Sequence, residues 1–478
     1  MTGSSERLDP GRSVREEWIA RAVEFVQAEL DGLDEAPALG PTGEELERLL
    51  GELPRGIPDV AIPMSEALDR IARAARLGMN PATPGYLAYI PGGGLFASAL
   101  AAFLSLVLNR YVGLAAASPG MVRFEKDVIA LFASELGFPA GSGGILTSGG
   151  SLANLSAIVA ARVASFGEEG DLRKASIYLS TEAHRSLTKA ARIAGIPAHN
   201  LRSVPVDASF RMDAAELSTM LTQDTAAGYR PFLVVASAGT TNTGAIDPLG
   251  AVADCCAEHG VWFHVDGAYG AMFVLTEVGR RKLAGIERAD SVTLDPHKGL
   301  FLPYGCGALV VRRQEALLAA HAESAGYLQD LVGRDGEASP AELGPELTRN
   351  DRGILVWLPL ALHGLETFRQ ALAEKLDLAR RCYEEIDRLG LEVLGEPDLS
   401  VVAFRLPRKD GEPLDGWNRR NRDWLARIND RRRIHLSSTL LPVADGEVLT
   451  LRVCILSFRT DERWTQIAIR ELAETMEG

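Results

Sequence analysis

Cysteine is scarce in this sequence and carries no metal or redox spacing. Five occur in 478 residues, Cys255, Cys256, Cys306, Cys382 and Cys454. None stands at C-x-x-C spacing, which removes the common zinc and dithiol motifs, and an odd number fits a reducing compartment better than a disulfide framework. They read as small buried hydrophobes. Positive charge is also in short supply: 50 Lys and Arg against 64 Asp and Glu leave a formal charge of −14, spread along the chain. That balance favours solubility and argues against a nucleic-acid partner. Long apolar runs are missing too. The longest, LFASALAAFLSLVL at 95–108, stops at Asn109–Arg110, short of the roughly 20 residues a membrane span needs, so it reads as a buried or interface helix. The polar, charged start MTGSSERLDPGRSVREEW is unlike a signal peptide, and a cytoplasmic protein is expected. With no GxxxxGK[ST] loop and no GxGxxG fingerprint, neither a triphosphate nor a dinucleotide is the expected ligand. No bound metal is expected either.

What is present has a clear organisation. A chain of this length implies two or three packed domains, and 46% hydrophobic with 24% charged residues is ordinary for a globular protein. Residues 13–30 space Trp18, Ala22, Phe25, Val26 and Leu30 at helical intervals. A Pro/Gly-rich stretch at 36–63, a second helical segment at 64–77 and the turn-rich MNPATPGYLAYIPGGG complete an N-terminal arm. From about 96 to 350, strand-type apolar runs alternate with helical ones. The runs are GILT (144–147), SIYLS (176–180), FLVVAS (232–237), VWFHVD (261–266), SVTLD (291–295) and GALVV (307–311). Near-continuous apolar strands separated by helices predict a mostly parallel sheet covered on both faces. GRDGEASPAELG (333–344) has no apolar period and reads as a loop. Helices over 354–390 then precede LEVLG, SVVAFRL and VLTLRVCIL, the pattern of a small α+β domain. The expected layout is an arm at 1–95, a large α/β domain at 96–352 and a small domain at 353–478.

In open parallel sheets, ligands bind at the carboxyl ends of strands, and several of the predicted ends here carry polar groups. After GILT, TSGGSLANLSAIVAARVA supplies Gly150 for close backbone approach and Ser151 as a helix cap, where free N–H groups attract an anion. After SIYLS, His184 falls one turn into a helix. ASAGTTNTGAIDPL crowds Thr240 and Thr241 at a third end. Asp266 closes VWFHVD, where a bare carboxylate is costly unless a cation meets it. In DSVTLDPHKGLF, Lys298 lies between apolar runs, where burial lowers an amine toward its neutral, nucleophilic form. Each feature alone has a plain structural alternative: a strand–turn–helix, a core histidine, a hydroxyl-rich turn, an aspartate capping a turn. One ligand accounts for the set. A cationic ring nitrogen suits Asp266, an aldehyde suits Lys298, a phosphate suits Gly150 and Ser151, and a flat face suits His184. That ligand is pyridoxal 5′-phosphate (PLP).

The stretches TSGGSLANLSAIVAAR, HVDGAYG, LDPHKGL and RINDRRRIHLSSTLL, with PGYLAYIPGGG and AAASPGMVRFEKDVIALFASELGFP, occur in an order and spacing similar to the group II PLP-dependent amino-acid decarboxylases, relatives of the aromatic-L-amino-acid and glutamate decarboxylases. The resemblance runs from about residue 15 to the C-terminus. It implies the α/β fold-type-I PLP-dependent transferase fold: a helical N-terminal arm, a mostly parallel seven-stranded sheet and a small α+β C-terminal domain, assembled as a homodimer with active sites at the interface. It implies Lys298 as the Schiff-base lysine, Asp266 as partner of the pyridine nitrogen, His184 stacked on the ring and Ala268 against the opposite face. Gly150 and Ser151 would hold the phosphate, with Thr241, Asp247 and His297 completing the surroundings. A loop tyrosine, here Tyr327, would protonate the substrate carbon after CO2 leaves. The implied activity is α-decarboxylation of an L-amino acid to an amine and CO2. The alternatives on the same cofactor are decarboxylation with oxidative deamination to an aldehyde, and β-elimination from a bulky amino-acid conjugate. Gly92, Gly113, Leu114 and Ala115 stand where aromatic decarboxylases carry larger or hydroxylated residues, which implies a differently shaped, larger pocket. No carboxylate clamp of the glutamate-decarboxylase kind is visible.

Overall fold

Seven short runs of mostly buried residues form the central sheet: β1 (Gly143–Thr147), β2 (Ala175–Ser180), β3 (Leu201–Val204), β4 (Arg230–Ser237), β5 (Trp262–Asp266), β6 (Ser291–Leu294) and β7 (Gly307–Val311). The computed structural model describes residues 8–168, 170–322 and 338–476. The strand order is β1-β7-β6-β5-β4-β2-β3. Strands β2 to β6 pair in parallel, and β7 runs antiparallel to both of its neighbours. Every residue of β1, β2, β5, β6 and β7 is buried, as a sheet sandwiched between helical layers requires. Six of the strands coincide with the apolar runs of the sequence. The seventh, β3, lies at the sheet edge and is only partly covered, so its sequence LRSV lacks the apolar run that marks the others.

The described residues of Met1–Tyr86, Asp423–Leu436 and Arg459–Gly478 form one compact unit, and those of Leu87–Arg422 and Ser437–Phe458 a second. The first unit contains α1 (Arg12–Asp31), α2 (Gly43–Glu52) and α3 (Met64–Ala75). No residue of α1 is buried, and the unit's core gathers around Trp424, Ile428, Ile434 and Leu472. Helix α2 falls inside the Pro/Gly-rich stretch, where the sequence pattern marks no element.

The second unit contains α4 (Phe96–Leu108), α5 (Pro119–Glu135), α6 (Gly150–Phe166), α7 (Arg185–Ile193) and the central sheet. It also contains a four-stranded antiparallel sheet of β8 (Glu392–Val393), β9 (Val401–Arg405), β10 (Ser437–Val443) and β11 (Gly446–Cys454), in the order β10-β11-β9-β8. The principal apolar core spans both sheets, from Phe132 and Leu146 through Phe263 and Phe273 to Val401 and Leu456. In α4 only Ala97, Ser98 and Ala101 are buried. Among the described residues no helix is long and apolar enough to cross a membrane.

The topology gathers several strand ends together. Because β1, β2, β4, β5 and β6 point the same way, the segments leaving Thr147, Ser180, Ser237, Asp266 and Leu294 emerge along one edge of the sheet.

Candidate active site

Along that edge lies a cavity of about 300 Å³ lined by segments from all five strand ends. The first wall is the start of α6. Gly149 occupies the cap position with φ 154°, in the region that favours glycine, and no side chain caps the helix. The first N–H groups are therefore free for an anion, and Ser148 and Ser151 line the cavity there. The expectation that Ser151 caps α6 is corrected: Gly149 takes that place and Ser151 lies in the first turn. A Cβ on Gly150 would sit 3.0 Å from Asp295 Oδ2 and 3.1 Å from Ala268 Cβ, so the cradle is kept shallow by the absence of a side chain.

Strands β5 and β6 are neighbours and supply the acid and the amine. The buried Asp266 accepts from Asn154 Nδ2 at 3.0 Å and from the Ala268 N–H at 3.2 Å, donors that suit a carboxylate. Lys298 is the sole amine among the described residues of the lining, half-buried, with Nζ 3.0 Å from Asp295 Oδ2. Asp295 is itself buried and was not singled out in the sequence, although it stands in LDPHKGL. His297 adjoins, its Nδ1 donating to the Cys306 carbonyl at 2.6 Å, and burial pushes its pKa down.

His184 precedes the first turn of α7 instead of lying one turn inside a helix. Its Nδ1 accepts from the Ser186 N–H at 3.3 Å and meets Ser186 Oγ at 2.7 Å, which fixes the imidazole at the mouth of the cavity. Gly150, Ser151, His184, Thr241, Asp266, Ala268, His297 and Lys298 thus line one space. Asp247 does not. It is fully buried behind β4, where Oδ2 accepts from the Ser237 N–H and Oδ1 from the Met212 N–H, each at 2.7 Å. Its carboxyl is raised to about 6, burial outweighing the two amide hydrogen bonds. Through Ser237 it pins the loop that carries Thr240 and Thr241. Tyr327 lies outside the described residues.

Gly92, Gly113, Leu114 and Ala115 are not among the described residues of this chain that line the cavity. A Cβ on Gly113 would fall 2.2 Å from the Leu347 carbonyl oxygen, and one on Gly92 3.0 Å from that of His297. Glycine at both positions answers close packing of chain against chain.

Besides Asp295, two polar residues at or beneath the site, Asn154 and His264, escaped the sequence reading. Asn154 sits on an otherwise apolar helix face, and His264 points to the same side of the sheet as Asp266, with Ser291 and Thr293 opposite on β6. The signal was present as period-two alternation, since Phe263 and Val265 point into the core on the other face.

An uncapped helix end, the Lys298 amine, the Asp266 carboxyl on its N–H donors and a fixed imidazole fit PLP group for group. The comparisons agree. The model of the pyridoxal-dependent decarboxylase conserved domain matches residues 49–407. An aromatic-L-amino-acid decarboxylase of Bacillus atrophaeus is 35% identical over 396 residues, 82% of this chain and 81% of that protein. A phenylacetaldehyde synthase of Arabidopsis thaliana is 28% identical over 502 aligned positions, 99% of this chain and 98% of that one. The crystal structure of Oryza sativa TDC with PLP and tryptamine has the same fold, with TM-score 0.91 at 24% identity over 98% of each chain.

Proposed function

The chain belongs to the pyridoxal-dependent decarboxylase family, and from that premise we propose that it removes the α-carboxylate of an L-amino acid as CO2 and releases the amine. It is a PLP-dependent carboxy-lyase of the fold-type-I class. The observation that carries the reading is the pairing of Lys298 and Asp266 on adjoining strand ends, facing a cavity whose third wall is the open start of α6.

When bound, PLP supplies an aldehyde that engages amines and a ring that takes up the electron pair left on the substrate carbon as the carboxylate departs. Lys298 would be the amine that holds the cofactor. Gly150 and Ser151 would hold the phosphate at the start of α6, and His184 and Ala268 would meet the ring. Asp266, held by two N–H donors, would face the ring nitrogen and favour its protonated form. Asp295 keeps the Lys298 amine within reach by its ion pair. His297, Thr241 and, through Ser237, Asp247 complete the surroundings. Tyr327 gives a proton to the substrate carbon after CO2 leaves.

The reading includes a homodimer. In the second unit Phe103, Leu106 and Val107 of α4 are half to two-thirds exposed, an apolar surface of the kind a second copy covers; in the first unit α1 buries none of its residues. Sedimentation at twice the chain mass supports it; a monomer at working concentration contradicts it.

A second reading, decarboxylation with oxidative deamination to an aldehyde, is favoured by one relative, the phenylacetaldehyde synthase. Screening L-amino acids for CO2 release, with mass identification of the product, separates the two. Amine supports the first reading; aldehyde with ammonia and peroxide supports the second; no CO2 from any amino acid overturns both. If Tyr327 is the proton donor, Tyr327→Phe still releases CO2 but diverts product from amine to aldehyde, and an unchanged amine yield removes the tyrosine from the scheme.

A further inference from the structure

A column of buried polar groups runs beneath the site between α6 and the sheet. Trp262 Nε1 lies 2.9 Å from Ser291 Oγ, and Ser291 Oγ lies 2.8 Å from His264 Nδ1. His264 Nε2 is 3.1 Å from Asn154 Oδ1, which also receives the Thr293 hydroxyl at 2.6 Å. Asn154 Nδ2 is 3.0 Å from Asp266 Oδ2 and 3.4 Å from Ser186 Oγ, the hydroxyl that meets His184 Nδ1.

The donor inventory gives this column one direction. An indole N–H only donates, so Ser291 Oγ accepts from Trp262 and is free to pass its own proton to His264 Nδ1. An amide oxygen only accepts, so Nε2 of His264 must carry the hydrogen that meets Asn154. The two N–H groups of Asn154 are then left for Asp266 and Ser186. Turning the Asn154 amide over would set its oxygen 3.0 Å from a carboxylate oxygen, two acceptors in contact at a buried site, which is costly. Burial also drives His264 down to about 4, so the ring stays neutral and a single tautomer persists around neutral pH.

We propose that His264 and Asn154 are positioning residues: they lock the Asn154 amide so that it always presents N–H to Asp266 and to the Ser186–His184 pair. One buried amide thereby sets both the acid for the ring nitrogen and the imidazole over the ring. This rests on the reading of Asp266 as partner of the PLP ring nitrogen.

The test has two parts. In wild-type holoenzyme with 15N-labelled histidine, long-range 1H–15N correlation should show His264 neutral and protonated on Nε2 from pH 8 down to about pH 5; protonation on Nδ1, or a cationic ring over that range, overturns the proposal. Holoenzyme variants loaded with ring-15N PLP form the second part. Asn154→Leu and His264→Phe should move the ring-nitrogen resonance toward the unprotonated position and lower kcat by about 10- to 100-fold, the worth of one hydrogen bond to a charged group, with KM nearly constant. His264→Gln, which keeps an N–H at similar reach, should retain most of both. An unmoved resonance in Asn154→Leu and His264→Phe, where Asp266→Asn does move it, overturns the positioning role alone. An unmoved resonance in Asp266→Asn overturns the reading beneath it.

Discussion

Replacing Gly150 with alanine separates a cofactor cradle from an ordinary helix start. Gly150 is the first residue of α6 and does not need a left-handed backbone, so alanine is conformationally allowed and favours the helix by up to about 1 kcal/mol. The added Cβ would stand 3.0 Å from Asp295 Oδ2 and 3.1 Å from Ala268 Cβ. Both must give by a few tenths of an ångström, and Asp295 Oδ2 is the atom that holds Lys298 Nζ at 3.0 Å. Weakening a hydrogen bond between charged groups costs roughly 1.5–3 kcal/mol, about a 10- to 100-fold loss of affinity. In Gly150→Ala the cofactor-free protein should melt within about 2 °C of wild type, since the helix gain and the crowding roughly cancel. PLP titrated into it, followed by absorbance, should bind about 10- to 100-fold more weakly. Binding within twofold of wild type would show that the start of α6 does not carry the cofactor. A large drop in the melting temperature of the cofactor-free protein would show that Gly150 serves packing alone.

Two further outcomes are expected. Asp266→Asn should still bind PLP but lose at least about 100-fold in kcat, because a neutral amide stabilises ring protonation far less than a carboxylate; near-normal turnover reduces Asp266 to a turn residue. Asp247 binds its proton more tightly folded, near pH 6, than unfolded, near 3.9. Its contribution to stability is therefore fully present below about pH 4 and lost as pH rises through 6, by about 3 kcal/mol in all. Urea unfolding of wild type and Asp247→Asn between pH 4 and 7.5 should show that fall in the wild type only, and identical pH dependence would refute the burial argument.

The central sheet was legible because strands buried on both faces must be apolar throughout, as GILT, FLVVAS and GALVV are. Where that requirement lapses the pattern fades: β3 at the sheet edge and the ten-residue α2 left no comparable mark. Asp266 could be found because a charge closing an apolar strand needs a reason, and Lys298 because an amine set between apolar runs does. Asn154 and His264 were hidden by the same logic, since each satisfies its partners within the fold and looks in sequence like core filling. Asp247 shows the limit of motif reading. Its neighbours Thr240 and Thr241 reach the cavity, while its own carboxylate is spent on two backbone amides. Distance in sequence could not tell the lining from its support.

The claim on which the rest depends is that Lys298 is the residue that holds PLP. Borohydride reduction of the holoenzyme, followed by proteolysis and mass spectrometry, fixes the cofactor to its amine. The account predicts a phosphopyridoxyl group on Lys298, and its loss together with the visible absorbance in Lys298→Ala. A label on any other lysine would contradict the assignment of the site.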